Sequence, residues 1–230
     1  MRRSHSVFRS AGGALRHGLS AVAIGALAAC GSPPVVHLHS LMPSDVAPAA
    51  EARARPQPGA PLAVVLEPIR MPSQVDQPQW LVQLPDGSLA SLEQERWASP
   101  LRDEFRQAVL ESLIVRYGAV ELRHLGGGAA SAASALRVGI DVRRFESLPG
   151  QEARIEGSWT IAGASSPATP APLPAHCEWF IRERAEGASS ALAQAHRRAV
   201  ARLADGIGIA MVAMKRGDTP KCLADDGVSR

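Results

Sequence analysis

Two runs of strict apolar alternation constrain this chain more than any other feature. Leu136, Val138, Ile140 and Val142 put every second side chain on one face of a strand, and Ile155, Gly157, Trp159 and Ile161 repeat the pattern. Pro149-Gly150 lies between them and supplies a turn, so the two strands are expected to pair antiparallel.

Other elements fall into place around this pair. Leu62 to Ile69 is a continuous apolar run that reads as a strand, closed by Pro68 and Pro72. Trp80–Leu84 and Ser88–Leu92 flank Pro85-Asp86-Gly87 as a hairpin, because Asp-Gly supplies the positive φ of a tight turn. A helix should follow, with Ser99 as N-cap, Pro100 at its first position, Asp103 and Glu104 in the first turns and Gly118 at its end. Leu101, Phe105, Ala108, Val109, Ser112, Leu113 and Arg116 share one stripe of that helix. Val120–Leu122 reads as a short strand and Cys177–Arg182 as the last one. A closing helix from about Ser190 to Met214 carries Leu192, Ala199, Leu203, Ile207, Ala210, Met211 and Met214 on one face. This order predicts an α+β fold, a mostly antiparallel sheet with two helices packed on one face, over residues 62–214.

The first 29 residues have another logic. Arg2, Arg3, Arg9 and Arg16 precede an apolar run from Leu19 to Ala29, and no acidic residue occurs among them. That is the basic and apolar sequence of an export signal, and the run is too short for a bilayer, which needs about 20 residues. It ends in Leu27-Ala28-Ala29-Cys30-Gly31, which resembles the lipobox of a lipoprotein signal peptidase. Residues 1–29 are thus expected to be removed and Cys30 to carry the lipid. Residues 30–61, with prolines at 33, 34, 43, 48, 56, 58 and 61, read as tether and loop. One patch, Val35–Leu41, alternates well enough for a short strand. If it is a strand of the domain, the free tether is Gly31 to Pro34, at most about 14 Å.

Charge then changes meaning. The whole chain has 25 basic and 22 acidic residues, net +3, but four of the arginines leave with the signal, so the remainder is about −1. No basic cluster with interleaved aromatics remains, and nucleic acid is not an expected partner. In an exporting compartment, Cys177 and Cys222 are the only internal pair available once Cys30 is lipidated. A bridge between them would pin the tail, residues 215–230; two free thiols are the alternative.

The residues that might carry chemistry do not assemble into a site. His37-x-His39 lacks further ligands at zinc spacing. Gly126-Gly127-Gly128 is not followed by Gly-Lys-Ser/Thr, so it is no phosphate loop. No paired carboxylates, nucleophile elbow or His-Glu-x-x-His occur, and neither catalytic residues, metal nor cofactor are expected. Trp80 and Trp97 bracket the hairpin as core anchors, or one of them lies partly exposed against a partner or lipid.

At these residues the chain resembles the PqiC-like, or ABC-transporter auxiliary, outer-membrane lipoproteins. The matching pieces, in order, are Cys30, the strand ending in Ser40-Leu41, Val64-Val65-Leu66-Glu67-Pro68-Ile69, Val75-Asp76-Gln77-Pro78-Gln79 and Arg96-Trp97-Ala98-Ser99-Pro100-Leu101. The last two are close to the family's Leu-Asp-Arg-Pro-Gln and Arg-Trp-Ala-Glu-Pro-Leu. His37 and His39 stand where the family usually has aromatic residues. The resemblance implies a non-catalytic subunit on the periplasmic face of the outer membrane, partnered with a periplasm-spanning MCE-domain protein in lipid transport and envelope integrity. It also implies homo-oligomeric rings. A lipoprotein that scaffolds a secretion or envelope complex without handling lipid is the competing reading.

Overall fold

Thirteen residues of β6, Leu136–Leu148, run antiparallel to β7, Glu152–Gly163, turning through Gly150 at φ 69°. The computed structural model describes residues 34–42, 62–122, 135–163 and 173–222. The export signal, Cys30, the loop 43–61, the triple glycine and the tail beyond Cys222 lie outside them. The other strands are β1 His37–His39, β2 Leu62–Leu66, β3 Gln79–Gln83, β4 Leu89–Trp97, β5 Ala119–Glu121 and β8 Ala175–Arg184. The helices are α1 Leu101–Tyr117 and α2 Ser189–Arg216.

The fold is α+β, but the strands form two sheets, and both are mixed. One has the order β5-β2-β6-β7-β8 and the other β1-β4-β3. β2 runs parallel to both β5 and β6, and β1 runs parallel to β4. A continuous apolar run such as Leu62–Leu66 has no period to reveal its direction; it is the kind of strand that parallel neighbours bury. Beyond Leu66 the chain keeps alongside β6, through Glu67 N–H to the Val138 carbonyl and Arg70 N–H to the Ile140 carbonyl.

One face of the large sheet is core. Val138, Ile140 and Val142 of β6, Ile155, Trp159 and Ile161 of β7, and Cys177, Trp179 and Ile181 of β8 are all buried. A bulge at Arg143 breaks the β6 register. The extra residue switches the inward parity from even to odd numbers, so Phe145 and Ser147 also face the core. The opposite face is charged, with Arg143 bonded to Glu178 and Arg182 to Glu152. Hydrogen bonding by Arg143 holds the Glu178 carboxyl below its ordinary range. At Glu152, burial pushes the carboxyl up, but Arg182 and Arg154 outweigh it and the net shift is downward.

α2 covers the core face with Leu192, Ala199, Val200, Leu203, Ile207 and Met211. α1 packs on α2, with Tyr117 Oη donating to the Asp205 carboxylate at 3.1 Å. Burial first, and the Asp205 charge second, raise the Tyr117 phenol to about 12. Gly208 makes room for that ring, since a Cβ there would lie 2.4 Å from it. Two expectations for α1 are corrected. Ser99 does not cap the helix; Pro100 precedes its first residue, and the Ser99 hydroxyl donates to Glu104 instead. Arg116 leaves the buried stripe: its side chain is 50 % exposed and pairs with Asp205 at 2.7 Å. No described helix is long and apolar enough to cross a membrane.

Candidate functional site

The segment just after the expected anchor is built into the domain by a set of directed bonds. The residues from Val36 onward belong to one compact unit. β1 lies along the end of β4, with His37 opposite Glu95, Leu38 opposite Arg96 and His39 opposite Trp97. The Ala98 N–H donates to the His39 carbonyl at 2.7 Å. The strand is shorter than Val35–Leu41: Val35 and Val36 precede the ladder, and Ser40 and Leu41 leave it for another purpose.

That purpose is Glu104. Its carboxylate accepts the Ser40 hydroxyl at 2.7 Å, the Leu41 N–H at 2.9 Å and the Ser99 hydroxyl at 3.0 Å. A carboxylate in the first turn of α1 also benefits from the helix dipole. Glu104 is buried, as a carboxylate can be when hydrogen bonds replace its water. Arg197 of α2 donates to the Ser40 carbonyl at 3.0 Å, and Leu41 is 1 % exposed. Residues 36–42 therefore form a strap held by β4, α1 and α2 together. Sequence reading placed Glu104 only as a first-turn acid; two of its three partners, Ser40 and Leu41, come from a segment more than sixty residues away, which no local pattern announces.

Beneath the strap lies an aromatic cluster. His39 meets Trp80 edge-on at 4.9 Å, and Trp80 packs on Trp97 at 4.5 Å. Trp80 and Trp97 are 1 % and 2 % exposed, which corrects the reading of either as a partner or lipid contact: both rings lie inside the core. The Trp80 indole N–H donates to Ser147 Oγ at 2.9 Å, and Ser147 Oγ lies 2.8 Å from His196 Nε2. The His196 ring stacks on Phe145 at 4.1 Å. Burial pushes this imidazole down to about 3, so it is neutral. His196 Nδ1 has no hydrogen-bond partner, and the Ser147–His196 pair is sealed from solvent, so it offers a substrate neither access nor an orienting carboxylate. His39 is tied to Glu95, while His37 is exposed.

The other expected pin is present. Cys177 and Cys222 form a disulfide with a Cα–Cα distance of 5.5 Å, which ties the chain after α2 to β8. The arrangement is mechanical: β4, α1 and α2 fasten the segment 36–42, and the bridge fastens the segment that follows α2.

Comparison with known proteins agrees with the fold. A sequence profile described as the ABC-type transport auxiliary lipoprotein component matches residues 44–208. A crystal structure of an uncharacterized protein superposes with a TM-score of 0.53 at 14 % identity, over 64 % of this chain and 90 % of the other. A Xanthomonas campestris protein of a domain family of unknown function gives a TM-score of 0.49 at 19 % identity, over 70 % and 92 % of the two chains. A search of curated proteins gives no match.

Proposed function

The chain belongs to the ABC-type transport auxiliary lipoprotein family, and we propose that it is the outer-membrane-anchored, non-catalytic subunit of an intermembrane lipid transport system whose periplasm-spanning partner carries MCE domains. The observation that carries this reading is the strap. A chain that needed only a flexible leash would not commit Glu104, Arg197 and a strand pairing to the residues just behind its anchor. Fastening them holds the domain at the membrane that carries the acyl chains, with the rest of its surface free for a partner. Two or three acyl chains make such anchoring durable, where one would be marginal. Gly31 after Cys30, in place of Asp, fits sorting to the outer membrane.

Affinity capture of the full lipidated chain from solubilised envelopes tests the proposal. The expected result is co-purification of an MCE-domain protein, with the chain fractionating with outer membrane on a density gradient. Capture of secretion or cell-wall components alone, or fractionation with the inner membrane, defeats it.

A further inference from the structure

The strap sorts its side chains by chemistry. His39 turns inward to Glu95 and Trp80. Leu38, between the two histidines, faces the other way and is 66 % exposed; Val36, two residues earlier, is 44 % exposed, and Val35 is 71 % exposed. Among the described residues, the remaining large exposed apolar side chains are Leu84 and Leu89 at the β3–β4 hairpin, Leu173 before β8, and Ile209 on α2. Among these described residues, only Val35 and Val36 are adjacent in the chain, with Leu38 two positions on.

We propose that the outer face of the strap, through Val36 and Leu38, seats on the bilayer that holds the acyl chains of Cys30. This rests on the anchoring reading above. Three observations select a lipid surface as the occupant. Val36 is six residues from Cys30, at most about 21 Å of extended chain, so these side chains cannot travel far from the anchoring leaflet. The strap is fastened through Leu41, Ser40 and His39, so its apolar face is held in place and not free to fold away. Arg96 is the register partner of Leu38 and is itself exposed, which sets a guanidinium beside the apolar residues. An apolar pair with a neighbouring cation matches a headgroup boundary, where Leu and Val reach toward the acyl region and Arg meets phosphate.

The test uses the full lipidated chain in phosphatidylethanolamine–phosphatidylglycerol vesicles, with a nitrobenzoxadiazole label on Leu38→Cys and, as control, on Ile209→Cys. The expected result is a blue-shifted label at position 38, quenched several-fold more by doxyl lipids than by an aqueous quencher, with the reverse at position 209. Equal aqueous quenching at both positions overturns the proposal. So does a blue shift at 38 that ignores doxyl lipids and grows with protein density, which would mean that a second copy covers β1. The mass of the N-terminal peptide separates the two levels. An unacylated peptide overturns the anchoring reading and this inference with it; an acylated peptide with a wet label overturns this inference alone.

Discussion

Trp80 and Ser147 share a buried hydrogen bond of 2.9 Å that joins the small sheet to the bulged end of β6. Ser147 passes the contact on to His196 of α2 at 2.8 Å. One serine thus connects both sheets and the long helix, and it is inward-facing only because the bulge at Arg143 shifts the parity of β6.

Acid should loosen this junction. His196 titrates near 3 in the folded protein against an ordinary 6.5, because burial disfavours the imidazolium. Below pH 6.5 the unfolded chain takes up a proton that the folded chain refuses. Stability present above 6.5 is therefore lost as pH falls toward 3, by up to about 1.4 kcal/mol per pH unit. Urea midpoints between pH 7 and 4.5 should fall more steeply for the wild type than for His196→Gln. Parallel slopes would mean that His196 is not held neutral.

Glu104→Ala should detach the strap. It removes the acceptor for the Leu41 N–H and two hydroxyls, and a stranded buried donor costs about 1–3 kcal/mol. The sharper readout is amide exchange at Leu41, expected to be slow in the wild type and faster in the variant by more than the global stability change explains. Unchanged exchange there would show that the bond to Glu104 does not hold the strap.

What the sequence made legible follows from where each signal resides. Alternation in β6 and β7 and the period of α2 are local, and their buried faces were readable residue by residue: Leu192, Leu203, Ile207 and Met211 all lie in the core. The Cys177–Cys222 pair was readable as a candidate because compartment and number left no other. The division into two sheets was not, since β1 joins β4 across more than fifty residues and three-residue strands have no periodicity. The cluster at His196 was hidden for a related reason. Its partners, Ser147, Phe145 and Trp80, come from strands whose relative placement only the fold supplies, and a bulge conceals two of them from an alternation count.

Gly157 shows the same limit, since its face was legible but its necessity was not. A Cβ there would sit 2.1 Å from the Asp141 carbonyl oxygen and 2.6 Å from the Trp179 ring. The backbone of β6 cannot retreat without breaking its ladder, so Gly157→Ala should cost about 3 kcal/mol. Ser158→Ala, next door on the open face, serves as the control and should change the denaturation midpoint little. Equal midpoints for both variants would contradict the close approach.

The disulfide offers the last test. Cys222 is exposed while Cys177 is 3 % exposed, so Cys222→Ser removes the bridge and leaves a thiol in apolar surroundings that suit it. The bond closes a separation of 45 residues, and in the chain-entropy picture opening such a loop costs about 4 kcal/mol. Reducing the wild type should lower its denaturation midpoint to that of Cys222→Ser, and the variant should not respond to reductant. The lost ordering should fall first on the residues between α2 and Cys222, seen as faster proteolysis after Arg216. If oxidised and reduced wild type unfold at the same denaturant concentration, the bridge stabilises nothing. If folded, unreduced protein shows alkylatable thiols at both Cys177 and Cys222, the bridge does not form.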